Sequence, residues 1–215
     1  MRRGLTLALA ALAFLPAAAE ETAIRFDGGW TEQRFSLFSS NDYEQAGEVL
    51  RVGSDGTVSL LWTPLPEALW DGRRASWRWA AEAAPPPTDL TLRGGDDRTL
   101  ALYFLFMPRA QAEAARDADV TDLLDAPQAR VLMYVLGGDH PRGASLPTPY
   151  LGARGRTLVL RPAGTGAWSE NVDLAEDHRR VFGAEPEALV GLAVSSDSDD
   201  TDTTARATLS ELRLR

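Results

Sequence analysis

The stretch 168–206 constrains the fold more than any other part of the chain, because helix and strand signals follow one another within it. Asp173 stands at the position of a helix N-cap and Gly183 at that of a left-handed C-cap, so the sequence predicts a helix near 174–182. Residues 189–194 are short, apolar and β-capable, which predicts a strand. An aspartate-rich loop and another predicted strand complete this unit.

Short β-capable segments separated by turn residues also recur upstream. Strands are predicted over residues 24–26, 47–52, 57–62, 99–107, 130–136 and 157–160. The turn residues 53–56 predict a hairpin between the second and third of these strands. Helix formers over 110–126 predict a short helical interruption. We therefore expect an all-β fold, a single antiparallel β-sandwich of jelly-roll type with one or two short helices.

The N-terminus has the three parts of a signal peptide. Two arginines precede an apolar run, and the run ends in three alanines at 17–19, a small-residue cleavage site. The apolar run is too short to span a bilayer comfortably. We predict that residues 1–19 are removed and that residues 20–215 form one domain, periplasmic or secreted, that does not span the membrane. A retained N-terminal anchor is the alternative.

Composition excludes several classes of function. The chain has no cysteine, which excludes thiol nucleophiles, thiolate metal sites and disulfides. All 22 basic residues are arginine, which excludes a Schiff-base or P-loop lysine. The net charge is −9, so we expect no nucleic-acid partner. The two histidines, His140 and His178, show no zinc-site spacing, and no G-x-S-x-G motif marks a nucleophile.

Three tryptophans are candidate ligand-binding residues. Trp77 and Trp79 lie two positions apart, so on a strand both indoles project from the same face. Such a pair can stack on sugar rings, and Trp168 is a further candidate for this role. The alternative, which large aromatic side chains in sandwich interiors favour, is that Trp77 and Trp79 fill the core between two sheets.

Acidic turns offer a candidate metal site. The aspartates crowded after the predicted strand 189–194 are Asp197, Asp199, Asp200 and Asp202. Unit charges about 4 Å apart repel by about 1 kcal/mol even in water, and Ca²⁺ would relieve this repulsion through its preference for carboxylate oxygens. Alternatively, the aspartates point into water or cap backbone amides, near Arg179, Arg180 or Arg206. The segment 94–97, two glycines and two aspartates, could also cradle a cation, or could be only a tight turn.

Carboxylates near Trp168 raise the alternative of a glycan-acting hydrolase. Two suitably spaced carboxyl groups are what glycoside hydrolysis requires. The candidates are Glu170, Asp173, Glu176 and Asp177. Asp173 and Glu176, however, are already accounted for as helix-capping residues.

The same C-terminal residues resemble a family of exported bacterial proteins known as domain of unknown function 3047. The motif of that family begins with a Trp and an acidic strand end, which correspond here to Trp168 and Glu170. It continues with D-Y-R-x-x-F-G and then T-D-x-D-N-T, which correspond to residues 177–183 and 196–201. Weaker likeness extends upstream over 61–62, 77–79, 95–98 and 134–135. Three positions depart from the family pattern: His178 replaces Tyr, Asp200 replaces Asn, and Leu136 stands where Trp is common.

This resemblance implies a β-sandwich like that of carbohydrate-binding modules, and it implies no particular activity. We expect a non-catalytic binding domain whose partner is a saccharide or another envelope ligand, because the sequence has aromatic candidates and no catalytic signature. The alternatives are the hydrolase and a purely structural envelope protein. We expect no cofactor apart from the candidate Ca²⁺.

Overall fold

A computed structural model describes residues 21–116 and 118–215. In these residues the chain forms two β-sheets packed face to face around a shared hydrophobic core, with three short α-helices. The predicted β-sandwich of jelly-roll type is therefore confirmed. The predicted signal peptide, residues 1–19, lies outside the described residues.

The first sheet has six strands in the order β11-β6-β13-β4-β3, with β1 paired to β13. Every pair in this sheet is antiparallel. Its strands are β1 (Thr22–Ala23), β3 (Asp42–Ala46), β4 (Val49–Asp55), β6 (Arg74–Ala83), β11 (Gly166–Asp173) and β13 (Thr204–Leu214).

The second sheet has seven strands in the order β2-β5-β12-β7-β8-β10-β9. Its strands are β2 (Thr31–Arg34), β5 (Val58–Pro64), β7 (Arg98–Met107), β8 (Arg130–Leu136), β9 (Ser145–Thr148), β10 (Gly152–Arg161) and β12 (Ala188–Asp197). The expectation of purely antiparallel pairing is wrong at one place, because β8 and β10 are parallel. The segment between them, which contains β9, is long enough for the crossover that parallel strands need.

Two central strands of this second sheet, β7 and β12, are buried along almost their whole length. The inner face of the sheet packs against the six-stranded sheet. Parts of its outer face are covered as well, by α2 (Val120–Asp125) near β5 and by the loop residue Leu90 near β8. Strands covered on both faces have nearly continuous apolar sequence, which is why β7 could be predicted.

Trp77 and Trp79 lie in the core between the sheets, with 2% and 1% of their surface exposed. Their rings meet edge to face with centroids 5.5 Å apart. Across the interface, the Trp77 ring lies 6.2 Å from Phe104 and 5.7 Å from Tyr134. The prediction that Trp77 and Trp79 bind a ligand is therefore wrong, because neither has an accessible face, and the alternative core assignment is correct.

The turn 53–56 does not form the predicted hairpin, because β4 belongs to the six-stranded sheet and β5 to the seven-stranded sheet. The turn instead crosses from one sheet to the other. Another connection between the two sheets, from β12 to β13, lies beside this turn. Two hydrogen bonds join the two connections, from Gly56 N to Thr203 O (2.9 Å) and from Ser198 N to Thr57 O (3.2 Å). This arrangement fixes the acidic loop at one end of the sandwich.

Both regions predicted to be helical contain helices, although the described residues have three α-helices where one or two were expected. In α3 (Leu174–Phe182) the Asp173 carboxylate accepts a hydrogen bond from Glu176 N (2.9 Å), and Gly183 is left-handed with a φ of 73°. The predicted interruption over 110–126 contains α1 (Arg109–Ala114) and α2. No helix in the described part of the chain is long and apolar enough to cross a membrane.

Candidate functional site

A cleft of about 400 Å³ opens on the outer face of the seven-stranded sheet. Its floor is formed by β5, β12, β7 and β8, one wall by α2, and the other wall by the segment after β9. Ligand sites in proteins typically have volumes of about 300–1,000 Å³, so the cleft is large enough for a small organic ligand. The residues that line it include Leu60, Trp62, Tyr103, Val120, Met133 and Tyr150.

The floor of the cleft is aromatic and apolar as a consequence of strand register. Trp62 pairs with Ala193, Ala193 with Tyr103, and Tyr103 with Met133, so these four side chains form one row across four strands. Directly paired residues project from the same face of a sheet. Trp62 and Tyr103 are only partly buried, which leaves part of each ring facing the cleft.

One end of the cleft is polar and is built around Arg98. The guanidinium Nη1 of Arg98 donates hydrogen bonds to Asp96 Oδ2 (2.8 Å) and Asp197 Oδ2 (3.0 Å), and Nη2 donates to the Tyr103 hydroxyl (3.2 Å). All three charged side chains are almost completely buried, at 5–8% exposure. Burying charges in this way requires close pairing, because the desolvation of each ion is costly.

The carboxyl group of Asp197 is only partly satisfied. Its Oδ1 has no hydrogen-bond partner among the described residues. Burial raises the pKa of Asp197 above its usual range and the neighbouring Asp199 and Asp96 carboxyls act in the same direction, against the opposing effect of the Arg98 charge. Tyr103, at the centre of the floor, shares a 2.9 Å hydrogen bond with Ser195 and so connects the aromatic row to this polar end.

Asp97 holds the turn that follows β12. It is completely buried, and its carboxylate accepts hydrogen bonds from the backbone amides of Asp200 (3.2 Å) and Thr201 (2.8 Å). As a result, Asp97, Asp199 and Asp200, here called the acidic cluster, have carboxylate oxygens within 4.8 Å of one another. Asp199 and Asp200 also line the polar end of the cleft.

The structure changes the membership of the predicted metal site. Asp199 and Asp200 come together as the sequence suggested, and they are joined by Asp97 from the segment 94–97. Asp202 is not part of the cluster and occupies a left-handed turn position with a φ of 49°. Asp197 is the last residue of β12 and is paired with Arg98.

Two of the three arginines named as alternative partners of the loop pair with other residues, and the third, Arg206, lies in β13. Arg179 forms a salt bridge with Glu185, and Arg180 with Asp177. The arginine that does contact the acidic loop is Arg98, which bonds to Asp197 across a separation of 99 residues, so no local signal in the loop points to it.

Three of the four carboxylates named for the hydrolase alternative have structural roles. Glu170 is buried, where it accepts hydrogen bonds from Trp79 Nε1 (3.1 Å) and Arg161 Nε (2.7 Å). Asp173 is the N-cap of α3, and Asp177 accepts a 2.6 Å hydrogen bond from the Tyr134 hydroxyl.

Trp168, the third aromatic candidate, lies on β11 in the six-stranded sheet and does not line the cleft. It is partly buried, and its ring lies 5.7 Å from the Arg161 guanidinium. Its role in ligand binding stays a prediction.

Comparison with protein families agrees with the resemblance seen in the sequence. The family model described as protein of unknown function DUF3047 matches residues 28–213. The chain belongs to this family. The matched region of this DUF3047 protein includes every strand of the cleft floor and both acidic segments. No curated protein matches the chain.

Three solved structures show low-identity likeness to this DUF3047 protein. The xyloglucanase domain of NopAA, a type three effector from Sinorhizobium fredii, in complex with cellobiose, is 9% identical with a TM-score of 0.46, covering 91% of this chain and 96% of that one. A cellulase derived from Cel12A of Rhodothermus marinus is 10% identical with a TM-score of 0.44, covering 91% and 95%. The catalytic domain of Humicola grisea Cel12A is 15% identical with a TM-score of 0.39, covering 89% and 90%.

Proposed function

We propose that this DUF3047 protein binds a saccharide in the cleft of the seven-stranded sheet. The observation that carries the proposal is that the cleft combines an apolar floor containing two aromatic rings with a group of carboxylates at one end. Sugar rings present C–H faces that pack on aromatic side chains, here Trp62 and Tyr103. Their hydroxyl groups donate hydrogen bonds, and the exposed carboxylates of Asp199 and Asp200 are acceptors at the end of the cleft.

The charge of the cleft favours neutral or amino sugars over acidic sugars. Its polar end contains four aspartates and a single arginine among its lining residues. That arginine, Arg98, is already bonded to Asp96 and Asp197. A uronic acid or a phosphorylated sugar would therefore bring negative charge toward uncompensated carboxylates, which is unfavourable.

Exposed aromatic residues at the rim support the same role. Tyr150 is 55% exposed, and its hydroxyl donates a 3.2 Å hydrogen bond to Asp96 Oδ1. Phe35, which is 60% exposed, also lines the cleft. Large aromatic side chains that are exposed beside a concave site are typical of ligand contact.

Two rim variants test the proposal on an array of neutral and acidic glycans. Wild-type protein should bind a subset of neutral or amino-sugar glycans, and Phe35→Ala and Tyr150→Ala should each weaken binding about tenfold. Phe38→Ala is the matched control, because Phe38 is 96% exposed in the same loop but does not line the cleft. Binding that Phe38→Ala weakens as much as Phe35→Ala, or no binding to any glycan, would contradict the proposal. Hydrolysis of a bound glycan would favour the enzyme alternative.

We also propose that the protein acts outside the cytoplasm, in the periplasm or after secretion. The support is the arrangement of charge, apolar run and small residues over 1–19. N-terminal sequencing of periplasmic protein tests this. Cleavage before Glu20 is expected, whereas retention of Met1 on a membrane-bound product would contradict it.

A further inference from the structure

The acidic cluster has the geometry of a cation site. One carboxylate oxygen from each of Asp97, Asp199 and Asp200 lies within 4.8 Å of the others. Oxygens that each lie about 2.3–2.6 Å from a shared Ca²⁺ are at most about 5 Å apart. The three carboxylates can therefore ligate one ion with little movement, since Asp97 is fixed by its hydrogen bonds to the loop.

Among the described residues, no positively charged side chain is paired with the cluster. Within residues 21–116 and 118–215, no salt bridge involves Asp97, Asp199 or Asp200. The adjacent Arg98 is occupied by two other carboxylates. Carboxylates crowded at this spacing repel one another, and a divalent cation removes that repulsion.

A second observation points to the same place. The Asp197 side chain is 7% exposed, and its Oδ1 has no hydrogen-bond partner in the described part of the chain. Asp197 lines the same polar end of the cleft as Asp199 and Asp200, so its unpartnered carboxyl lies beside the acidic cluster. Buried acceptors are normally satisfied, and a cation shared with Asp199 would satisfy this one.

We propose that the acidic cluster binds Ca²⁺, with Asp197 supplying a further oxygen. Carboxylate oxygens are the ligands that hard divalent cations prefer, and an irregular loop suits Ca²⁺ better than Mg²⁺, which demands near-octahedral geometry. Asp199 and Asp200 line the cleft, so the ion lies where its open coordination positions face a ligand. This last step rests on the proposed function: a sugar hydroxyl at the polar end coordinates the ion.

Calorimetric titration with CaCl₂ alone tests the site on protein freed of metal with EDTA. Ca²⁺ should bind and raise the melting midpoint, and MgCl₂ should bind more weakly. Asp199→Asn and Asp200→Asn should each weaken Ca²⁺ about tenfold or more. Both positions are exposed, so these variants should fold, whereas Asp97 is left unchanged because it holds the turn. Asp202→Asn is the matched control, in the same loop but outside the cluster.

Two results would overturn the proposal. One is the absence of any heat of binding together with identical melting midpoints in EDTA and in CaCl₂. The other is an Asp202→Asn variant that loses as much affinity as Asp199→Asn. Because these titrations contain no saccharide, Ca²⁺ binding without any glycan binding would contradict the proposed function and leave the metal site standing.

Discussion

Arg98 and Asp197 face each other as paired residues of β7 and β12, and their charged groups meet at 3.0 Å in the buried end of the cleft. Arg98 also binds Asp96 at 2.8 Å, so one guanidinium compensates two buried carboxylates. The polar end of the cleft therefore depends on a single positive charge. Replacing Arg98 should therefore change the stability of the protein.

Arg98→Met should destabilise the protein by about 3–5 kcal/mol, because it leaves two carboxylates buried without a partner. Urea denaturation measures this loss. Adding Asp96→Asn and Asp197→Asn should recover part of it, since neutral amides cost less to bury than unpaired charges. Arg51→Met is the control, because Arg51 pairs with Glu44 on the surface and should change stability little. An Arg98→Met variant as stable as Arg51→Met would contradict this account of the polar end.

Trp77→Ala should cost about 3–5 kcal/mol of unfolding free energy, because it leaves a large cavity between the two sheets. Trp77→Phe should cost much less. The indole Nε1 of Trp77 is buried without a hydrogen-bond partner among the described residues, so replacing Trp77 by Phe breaks no hydrogen bond of this group. Both changes are measured by chemical denaturation. If Trp77 were instead an exposed ligand contact, Trp77→Ala would leave stability unchanged and reduce only binding.

His178 should make stability fall at mildly acidic pH. Burial lowers its pKa, and the Ala184 carbonyl lies 2.7 Å from its Nδ1. Because the folded pKa is below the unfolded value of about 6.5, the unfolded chain takes up the proton more readily. The stability contributed by neutral His178 is therefore present above about pH 6.5 and is lost as the pH falls below it.

The matched variant for this prediction is His178→Tyr, which keeps an aromatic ring in the pocket formed by Phe106 and Phe182 but does not ionise near pH 6. Melting midpoints between pH 8 and pH 5.5, roughly spanning the titration of an ordinary histidine, should fall less for the variant than for wild type. His140 is present in both proteins, so its contribution cancels. Equal pH dependence in the two proteins would show that His178 is not responsible.

Sequence patterns correctly predicted the elements whose structure depends mainly on their own residues. The cap residues Asp173 and Gly183 predicted α3 correctly, because a helix end is fixed by its own neighbouring residues. The nearly continuous apolar sequence of β7 predicted a central strand correctly, because a strand covered on both faces needs apolar residues on both. The hairpin predicted from the turn 53–56 was wrong, because a turn does not specify whether the next strand stays in the same sheet.

The candidate site could be predicted only in part, because it is assembled from distant segments. Asp199 and Asp200 stand out in the sequence, but their neighbour Asp97 contacts the loop across a separation of 104 residues. The aromatic floor was missed for the same reason, since Trp62 and Tyr103 become neighbours only through the register of β5, β12 and β7. The pair Trp77 and Trp79, which is conspicuous in the sequence, lies in the core between the sheets and does not line the cleft.

A crystal structure of the protein with the tightest glycan from the array tests the central claim most directly. Our account predicts density for a sugar ring against Trp62 and Tyr103, with at least one hydroxyl directed toward Asp199 or Asp200. Glycan density on the six-stranded sheet, for example against Trp168, with the cleft unchanged, would contradict it.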